Sequence, residues 1–278
     1  MFRGCTLAIA TKHEKEKVLT PLFEKAWGVR CIVPPEFDTD VFGMFNGQIE
    51  REGTPLDAAR KKCALAAQLT GANLVIASEG SFGPHPSIPF VPANEELLLL
   101  TDFVTGREFV VMEFTTETNF DGGDFSSWDE LKRFATRVGF PTHALILRIG
   151  KNDYTFQYKA VRDWSMLEIA YQKIVSLGRS VYVETDMRAC FNPTRMAAIE
   201  RAGHKMIELL QSHCPQCAAA GFSVTAVERG LPCECCGQIT EGVLAHRYEC
   251  QLCGFEKMEW FPNGKSNELA MYCNECNP

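Results

Sequence analysis

Four Cys-x-x-Cys pairs near the carboxyl terminus constrain the fold of this chain more than any other feature of its sequence. Each pair can direct two thiolates at one metal ion, and two pairs complete a tetrahedral shell of four sulfurs. Eight cysteines therefore predict two structural Zn²⁺ ions. The pairs are Cys214/Cys217, Cys233/Cys236, Cys250/Cys253 and Cys273/Cys276.

The order in which the four pairs combine is less constrained than their identity as ligands. Thirteen residues separate Cys236 from Cys250, which is enough for a short hairpin through residues 239–248. We therefore expect the second pair to join the third, and the first to join the fourth; sequential and interleaved pairing remain open. A closed shell of four sulfurs has no free coordination position, so a structural role is expected. Iron–sulfur ligation is the alternative, and Cys235 is a spare thiol.

Length and charge set the broad class of the protein. The chain has 278 residues and a formal net charge of −7, which disfavours a broad nucleic-acid or membrane-binding surface. No apolar run approaches the about 20 residues that span a bilayer. The amino terminus enters a strand pattern without a cleavable signal, so we expect a cytoplasmic protein with metal-bound cysteines rather than disulfides. We predict an α/β domain over residues 1–210 and a double zinc-ribbon module over residues 211–278.

The chemistry of the first domain is expected around Glu79. Residues 74–77 form a branched apolar run that predicts a central strand, and Glu79 follows it among glycines and serines. Ligands bind at the carboxyl ends of strands in open α/β sheets, so Glu79 is a candidate catalytic residue and Ser81 a candidate for substrate binding. His85 follows in the same segment and, like His13, is a candidate proton shuttle. The alternative interpretation is a loop that the glycines merely turn.

Other charged residues follow the preceding strand. Residues 6–10 predict a strand, and Lys12 comes directly after it, where it would bind phosphate together with the start of a helix. Lys15 and Lys17 are interpreted as solvated charges. Asp38 and Asp40 stand one residue apart and suit either a shared divalent cation or a cap on the next element.

A basic stretch follows these acids. Arg51 precedes a predicted helix that opens near residue 54 and carries Lys61 and Lys62 in its first turns. Cations are unfavourable at a helix amino terminus, which suggests that an anionic ligand offsets the repulsion. An exposed basic face is the equally weighted alternative.

These residues carry a resemblance to known enzymes. The Thr11-x-His13 loop, the helical Ala59-x-x-Lys62 motif and the turn Ser78-Glu-Gly-Ser81 resemble motifs of inosine/xanthosine triphosphate pyrophosphatases and Maf-type nucleotide pyrophosphatases. That resemblance implies a mixed sheet with flanking helices, phosphate-binding lysines and an acidic turn that binds catalytic Mg²⁺ or Mn²⁺. The sequence departs from the motifs in that His13 replaces an asparagine, Glu16 the phosphate lysine and Gly80-Ser81 a glycine pair.

The whole chain more closely resembles an uncharacterised bacterial family of unknown function. The residues that carry this resemblance are the segment from Ala77 to Pro86, a later Asp-Met-Arg-Ala motif that begins at Asp186, and the terminal Cys-x-x-Cys pairs. This resemblance implies no activity.

A second polar cluster occurs where a predicted strand from residue 181 meets a helix that begins near Pro193. Carboxylates bind metals or ribose hydroxyls, and guanidinium groups bind phosphate or carboxylate, so this cluster is predicted to bind the far end of a ligand. The alternative is an internal salt-bridge network. The candidates are Glu184, Asp186, Arg188, Asn192 and Arg195.

Together these patterns predict a metal-dependent hydrolase that acts on a nucleotide or another phosphorylated small molecule. Its catalytic Mg²⁺ or Mn²⁺ would be bound by Glu79 with Asp38 or Asp40. The alternative hypothesis is a non-catalytic, ligand-sensing adaptor whose zinc module binds a protein partner or, less favoured, nucleic acid. A homodimer is compatible with either hypothesis.

Overall fold

The computed structural model describes residues 2–35, 37 and 53–278. These residues divide into two compact units, Met1–Met206 and Ile207–Pro278. The described part of the chain contains five α-helices and three sheets, so the expected α/β class with a mixed sheet is correct. Asp38, Asp40 and Arg51 lie outside the described residues.

The first sheet of unit 1 has five strands in the order β2-β1-β3-β4-β5. Strands β1, β2 and β3 are mutually parallel, whereas β4 and β5 are antiparallel to their neighbours. The strands are β1 (Thr6–Ala10), β2 (Arg30–Ile32), β3 (Leu74–His85), β4 (Ile88–Asp102) and β5 (Arg107–Thr115).

Strand β3 is longer than the sequence predicted. We expected it to end at about Glu79, and the alternative interpretation placed the glycines in a loop, but the strand continues to His85 and pairs with β4 along its whole length. The expected end of the strand and the alternative loop were both wrong, because the neighbouring β4 supplies a hydrogen-bonding partner for the glycine-rich segment. Only the parallel pairing stops early, since the last partner of β1 on β3 is Ala77.

Helices α1 (Glu16–Trp27) and α2 (Pro55–Thr70) connect the parallel strands. Thr54 and Asp57 form a capping box that fixes the start of α2: Thr54 Oγ1 accepts from the Asp57 N–H at 3.2 Å, and Asp57 Oδ2 accepts from the Thr54 N–H at 2.9 Å. Helix α2 packs its small side chains, including Ala59 and Cys63, against one face of β1 and β3. This packing fixes the position of Lys62, one residue before Cys63.

The second sheet of unit 1 is antiparallel, in the order β6-β9-β7-β8. Helices α3 (Trp128–Arg137) and α4 (Trp164–Ser176) bury one face of this sheet in a common apolar core. Helix α5 (Pro193–Gln211) follows β9. The strands are β6 (Gly122–Phe125), β7 (Leu145–Arg148), β8 (Gln157–Val161) and β9 (Val181–Thr185).

Unit 2 contains one three-stranded antiparallel sheet, β10 (Ser223–Arg229), β11 (Val243–Glu249) and β12 (Glu256–Trp260). Each strand lies between two successive Cys-x-x-Cys pairs along the chain. The hairpin expected within residues 239–248 is therefore wrong, since most of that segment belongs to the single strand β11.

Candidate functional site

The candidate site of unit 1 lies where the chain direction diverges between β1 and β3. From β1 the chain passes through α1 to β2 on one side, and it returns through α2 to β3 on the other side of β1. A gap opens at the carboxyl ends of two strands at such a switch point, and ligands of open α/β sheets bind there. Because Ala77 is the last partner of β1, Ser78 and Glu79 are the first residues of β3 beyond that strand.

Glu79 faces helix α2. Its side chain is buried, with 2% of its surface exposed, and Lys62 Nζ contacts its Oε1 atom. Alternation along β3 places Glu79 on the same face as Ala77 and Leu97, which belong to the α2 core. The sequence left open whether Lys61 or Lys62 would reach the site; the structure brings Lys62 to Glu79, whereas Lys61 is exposed.

Lys15 approaches the same strand from the other face. Its Nζ lies 2.6 Å from Ser78 Oγ and donates to the Ser78 carbonyl at 3.2 Å. Thr11 Oγ1 accepts from the backbone N–H groups of His13 and Lys15, at 3.2 and 3.4 Å, and so shapes the loop that brings Lys15 inward. Burial, with Arg195 as the second cause, lowers the pKa of Lys15 from 10.5 to about 7, while Glu96 opposes the shift.

The interpretation of Lys15 as a solvated charge was therefore wrong, since only 7% of the residue is exposed. Little in the sequence indicates this burial, because Lys15 stands in a run of alternating lysines and glutamates. Its burial depends on the position of β3, which is 63 residues away along the chain. Lys17, by contrast, is exposed and pairs with Glu14 at 2.6 Å, as a solvated charge does.

Arg195 is fully engaged by protein groups rather than directed at an open surface. Its Nε donates to Glu96 Oε1 at 2.7 Å, its Nη2 to Glu96 Oε2 at 3.3 Å and its Nη1 to the Met187 carbonyl at 2.5 Å. Arg195 and Glu96 are 1% and 0% exposed. These contacts fit the alternative that the sequence left open, an internal ion pair that ties α5 to the sheet. Sequence reasoning missed Glu96.

Gly80 makes room for this ion pair. A Cβ atom at residue 80 would lie 2.6 Å from Glu96 Oε1 and closer still to Arg195 Nη2. Both distances are far below van der Waals contact, and neither side chain can move without unpairing a buried charge. Gly80 therefore allows the Arg195 and Glu96 side chains to approach the backbone of β3 closely, and it does not form the turn that the sequence suggested.

Asp186 and Arg188 form a local ion pair beyond β9. Asp186 is fully buried and accepts from Arg188 Nε at 2.9 Å and from its Nη2 at 2.5 Å. The guanidinium of Arg188 also stacks 4.4 Å from the centre of the Phe191 ring. Glu184 contacts Arg148 Nη2 at 2.5 Å, and burial raises the pKa of Glu184 while Arg148 opposes the shift.

Asn192 has a structural contact at the start of α5. Its Oδ1 accepts from the Arg195 N–H at 3.0 Å, as an N-terminal cap does, and its Nδ2 donates to Asn119 Oδ1 at 2.8 Å. This cap sets the first turn of α5, from which Arg195 reaches Glu96.

The remaining candidates lie in the loop after β1 and along β3. Lys12 is exposed and His13 is partly buried in the loop after β1, while Ser81 is partly buried on the Glu79 face of β3. His85 lies six residues beyond Glu79, or about 20 Å along an extended strand. Its Nδ1 accepts from the Ser87 N–H at 3.1 Å. His85 and Glu79 are thus separated along the strand, and the role of His85 as a proton shuttle stays a prediction.

The eight paired cysteines of unit 2 form two groups of four. Within each group the four sulfurs lie within 4.8 Å of one another. Sulfur–sulfur distances between pairs are 3.6–3.8 Å. A tetrahedral shell with Zn–S bonds of about 2.3 Å requires about 3.8 Å between sulfurs, so both groups fit a zinc ion. The groups are Cys214, Cys217, Cys250 and Cys253, and Cys233, Cys236, Cys273 and Cys276.

The observed pairing is interleaved, so the pairing that we favoured from sequence was wrong. One strand separates each pair of cysteines from the next, and successive strands of the sheet are antiparallel. The chain therefore reverses at every pair, which places the first and third pairs at one end of the sheet and the second and fourth at the other. The sequence signal for this order is a single strand pattern between each cysteine pair and the next.

Backbone N–H groups in the cysteine turns favour the thiolate form that binds metal. The N–H of Cys253, chief among several donors, lowers the pKa of Cys250 to about 6, and that of Cys236 lowers the pKa of Cys233 to about 7. Hydrogen bonds to the charged form of a group have this effect in general. Backbone N–H groups also favour the thiolate form of Cys253 and Cys236, but desolvation and the neighbouring thiols raise the pKa of both, so one cysteine of each turn is predisposed to the thiolate form.

None of the helices among the described residues is long and apolar enough to cross a lipid bilayer.

Comparison with known proteins adds family membership and no activity. No curated protein matches the chain. A family model described as "Domain of unknown function (DUF6671)" matches residues 62–278, which include Lys62, Glu79, Arg195 and all eight paired cysteines. The resemblance to an uncharacterised family is thus confirmed, and the chain belongs to the DUF6671 family.

Proposed function

We propose that this protein is a metal-dependent hydrolase that acts on a nucleotide or another phosphorylated small molecule. The observation that carries the proposal is the convergence of two lysines on consecutive residues of β3. Lys62 from α2 meets Glu79 on one face, and Lys15 at the start of α1 meets Ser78 on the other. Both contacts lie at the switch point, where a phosphate would find the Lys62 ammonium, the amine of Lys15 and a carboxylate.

The catalytic ion would be Mg²⁺ or Mn²⁺, held by Glu79 together with Asp38 or Asp40. When bound, such an ion polarises phosphoryl oxygens and activates water. Lys62 then has two roles: it balances the charge of buried Glu79 before a ligand arrives, and it neutralises phosphate charge afterwards. Within residues 2–35, 37 and 53–278 the groups of three or more possible metal ligands are the two cysteine groups, and the partner of Glu79 in this proposal, Asp38 or Asp40, lies outside those residues.

The other basic candidates have graded roles in this proposal. Lys12, exposed in the loop after β1, would bind the outer phosphates together with Arg51 and the exposed Lys61. Arg188 would contact the far end of the ligand. Arg195 acts indirectly, because its guanidinium holds Glu96 and the Met187 carbonyl beside β3.

The two four-cysteine groups would hold structural Zn²⁺. Four thiolates close each shell, which leaves no coordination position for a substrate. A sheet of only three strands buries little apolar surface, so metal binding would supply much of the folding free energy of unit 2. In this proposal the chemistry therefore belongs to unit 1.

The experiment that tests the proposed activity measures phosphate and pyrophosphate release from a panel of nucleotides, with Mg²⁺ or Mn²⁺ and with neither. The full-length wild type is compared with Glu79→Gln, and the zinc content of both is measured. We expect metal-dependent turnover by the wild type that falls by about 100-fold or more in Glu79→Gln while zinc remains at two per chain. Absence of turnover on every substrate, or equal rates for the two proteins, would contradict the proposal.

A non-catalytic adaptor is the second candidate function, and one observation favours it. Large apolar side chains of unit 2 are exposed at the end of β12 and near the second four-cysteine group: Trp260 is 58% exposed, Met271 58% and Tyr272 59%. Acidic residues outnumber basic ones in residues 207–278, which disfavours nucleic acid as the partner. A protein partner is therefore the alternative if the nucleotide panel shows no turnover.

A further inference from the structure

Lys15 and Ser78 form a contact of an uncommon kind. Their Nζ and Oγ atoms are 2.6 Å apart, and both residues are buried, with 7% and 3% of their surfaces exposed. Buried lysines generally pair with carboxylates, since an ammonium without a counter-charge is costly to remove from water. Here the hydrogen-bond partners of the lysine are a hydroxyl and a backbone carbonyl.

The surroundings of this pair lower the proton affinity of the amine. Burial, Arg195 and Lys62 disfavour a further positive charge and outweigh the opposing effects of Glu96 and Glu79, so a substantial share of the Lys15 amine is uncharged near neutral pH. An uncharged lysine amine can accept a proton, and the nearest hydroxyl is that of Ser78. A serine activated by a neighbouring lysine is a known arrangement for covalent catalysis.

The position of the pair also suits attack on a substrate. Ser78 is the first residue of β3 beyond the end of β1, and it directly precedes Glu79. Although the side chains of Ser78 and Glu79 point to opposite faces of β3, both border the gap at the carboxyl end of β1, so a phosphoryl group bound in that gap would adjoin both. Ser78 and Gly80 share a face of β3, so the Arg195–Glu96 ion pair that crowds Gly80 lies on the side where Oγ would react.

We propose that Ser78 is the nucleophile of this site and that Lys15 is its general base. This inference rests on the proposed function and names the group that attacks the substrate. Lys15 Nζ takes the hydroxyl proton while Ser78 Oγ forms a bond to phosphorus, and the bond from phosphorus to the leaving-group oxygen breaks. Lys15 then delivers the proton to that oxygen. Water subsequently attacks the phosphoserine, which releases phosphate and restores the hydroxyl.

A fluorophosphonate tests the nucleophile without any need for the natural substrate, because an activated serine displaces its fluoride and keeps the phosphonyl group. The full-length, zinc-loaded protein is treated with the reagent, and the modified residue is located by peptide mass spectrometry. We expect modification of Ser78 in the wild type, and none at this position in Ser78→Ala. Ser87→Ala, which removes an exposed serine in the turn after β3, is the matched control and should be modified at Ser78 like the wild type.

The role of Lys15 is tested by the rate of the same modification. Lys15→Met should slow it by about 100-fold or more, the usual contribution of a general base. Lys15→Arg keeps the positive charge but has no accessible neutral form, and it should show the same loss. Circular dichroism and zinc content show whether each variant is folded. If Lys15→Met does not fold, Lys15→Arg supplies the result.

The outcomes separate this inference from the proposed function. Absence of a Ser78 adduct, or equal labelling rates in wild type and both Lys15 variants, would overturn the role of the pair even if nucleotides are hydrolysed. Labelling of Ser78 that depends on Lys15, without phosphate release from any nucleotide, would support the pair and overturn the proposed substrate.

Discussion

The two candidate sites of this protein are assembled in opposite ways. Each four-cysteine group of unit 2 is built from pairs of ligands that are neighbours in sequence, and only the choice of partner depends on the fold. In unit 1, Lys15, Lys62 and Glu79 come from three different elements, and their meeting depends on the sheet order β2-β1-β3. Short spacing in sequence thus identifies ligands, whereas tertiary topology decides which groups meet.

The largest effect is expected when cysteine ligands are removed from the four-cysteine groups of unit 2, and it tests how the cysteine pairs combine. Cys214→Ser with Cys250→Ser removes two ligands from one group and should leave one metal ion bound. Cys236→Ser with Cys250→Ser removes one ligand from each group and should weaken both. Because structural zinc contributes on the order of 10 kcal/mol to folding, loss of both groups should unfold unit 2.

Cobalt substitution reads out this prediction, since tetrahedral Co²⁺–thiolate sites absorb visible light in proportion to their number. Cys235→Ser is the control and should keep two ions, because Cys235 belongs to neither group. If the Cys236/Cys250 double variant kept one intact site and the Cys214/Cys250 variant kept none, the interleaved pairing would be wrong.

The next largest effect concerns the packing that supports the site of unit 1. Gly80→Ala would push a methyl group into the Arg195–Glu96 ion pair, and disruption of a buried pair costs about 3–5 kcal/mol. Gly83→Ala is a matched control on the same strand, since nothing lies within 4 Å of its added Cβ. Urea unfolding followed by tryptophan fluorescence should show the loss in Gly80→Ala alone; similar stabilities of the two variants would contradict the described contact.

A smaller effect follows from the buried amine of Lys15. Its pKa is about 7 in the folded protein and near 10.5 when unfolded, so the unfolded chain binds more protons between these values. The free energy of unfolding should therefore rise with pH from about 7 towards 10.5, by up to about 1.4 kcal/mol per pH unit, and the penalty is fully present below about pH 7. Lys15→Met should remove this rise.

Urea unfolding at several pH values measures the difference between wild type and Lys15→Met, in which the titrations common to both proteins cancel. Lys25→Met, which changes an exposed lysine of α1, is the control and should follow the wild type. A difference between wild type and Lys15→Met that stays constant over this pH range would mean that Lys15 keeps its ordinary pKa.

Much of the fold could be predicted from the sequence because local patterns determine it. The apolar run at residues 74–77, the capping residues Thr54 and Asp57 and the helical spacing after Ser127 are each read within one element. The boundary of β3 could not be predicted, since glycines that usually turn a chain continue a strand when β4 pairs beside them.

The candidate site was only partly predictable for the same reason. Glu79 and Lys62 stand out by residue type and position, and the structure brings them together. Lys15 and Glu96 do not stand out, because charged residues inside alternating or apolar runs look solvated or incidental until a distant partner is known. The prediction of the cysteine pairing failed for the same reason, because it required a choice between possible contacts of distant segments.

The most direct test of the proposed site compares phosphate release by wild type, Lys62→Met and Lys61→Met under identical Mg²⁺ conditions. The two lysines are adjacent on α2, but only Lys62 reaches Glu79. We predict a loss of kcat/KM of about 100-fold in Lys62→Met and a far smaller loss in Lys61→Met. Equal losses, or a larger loss in Lys61→Met, would contradict the claim that α2 delivers one particular lysine to the acidic end of the site.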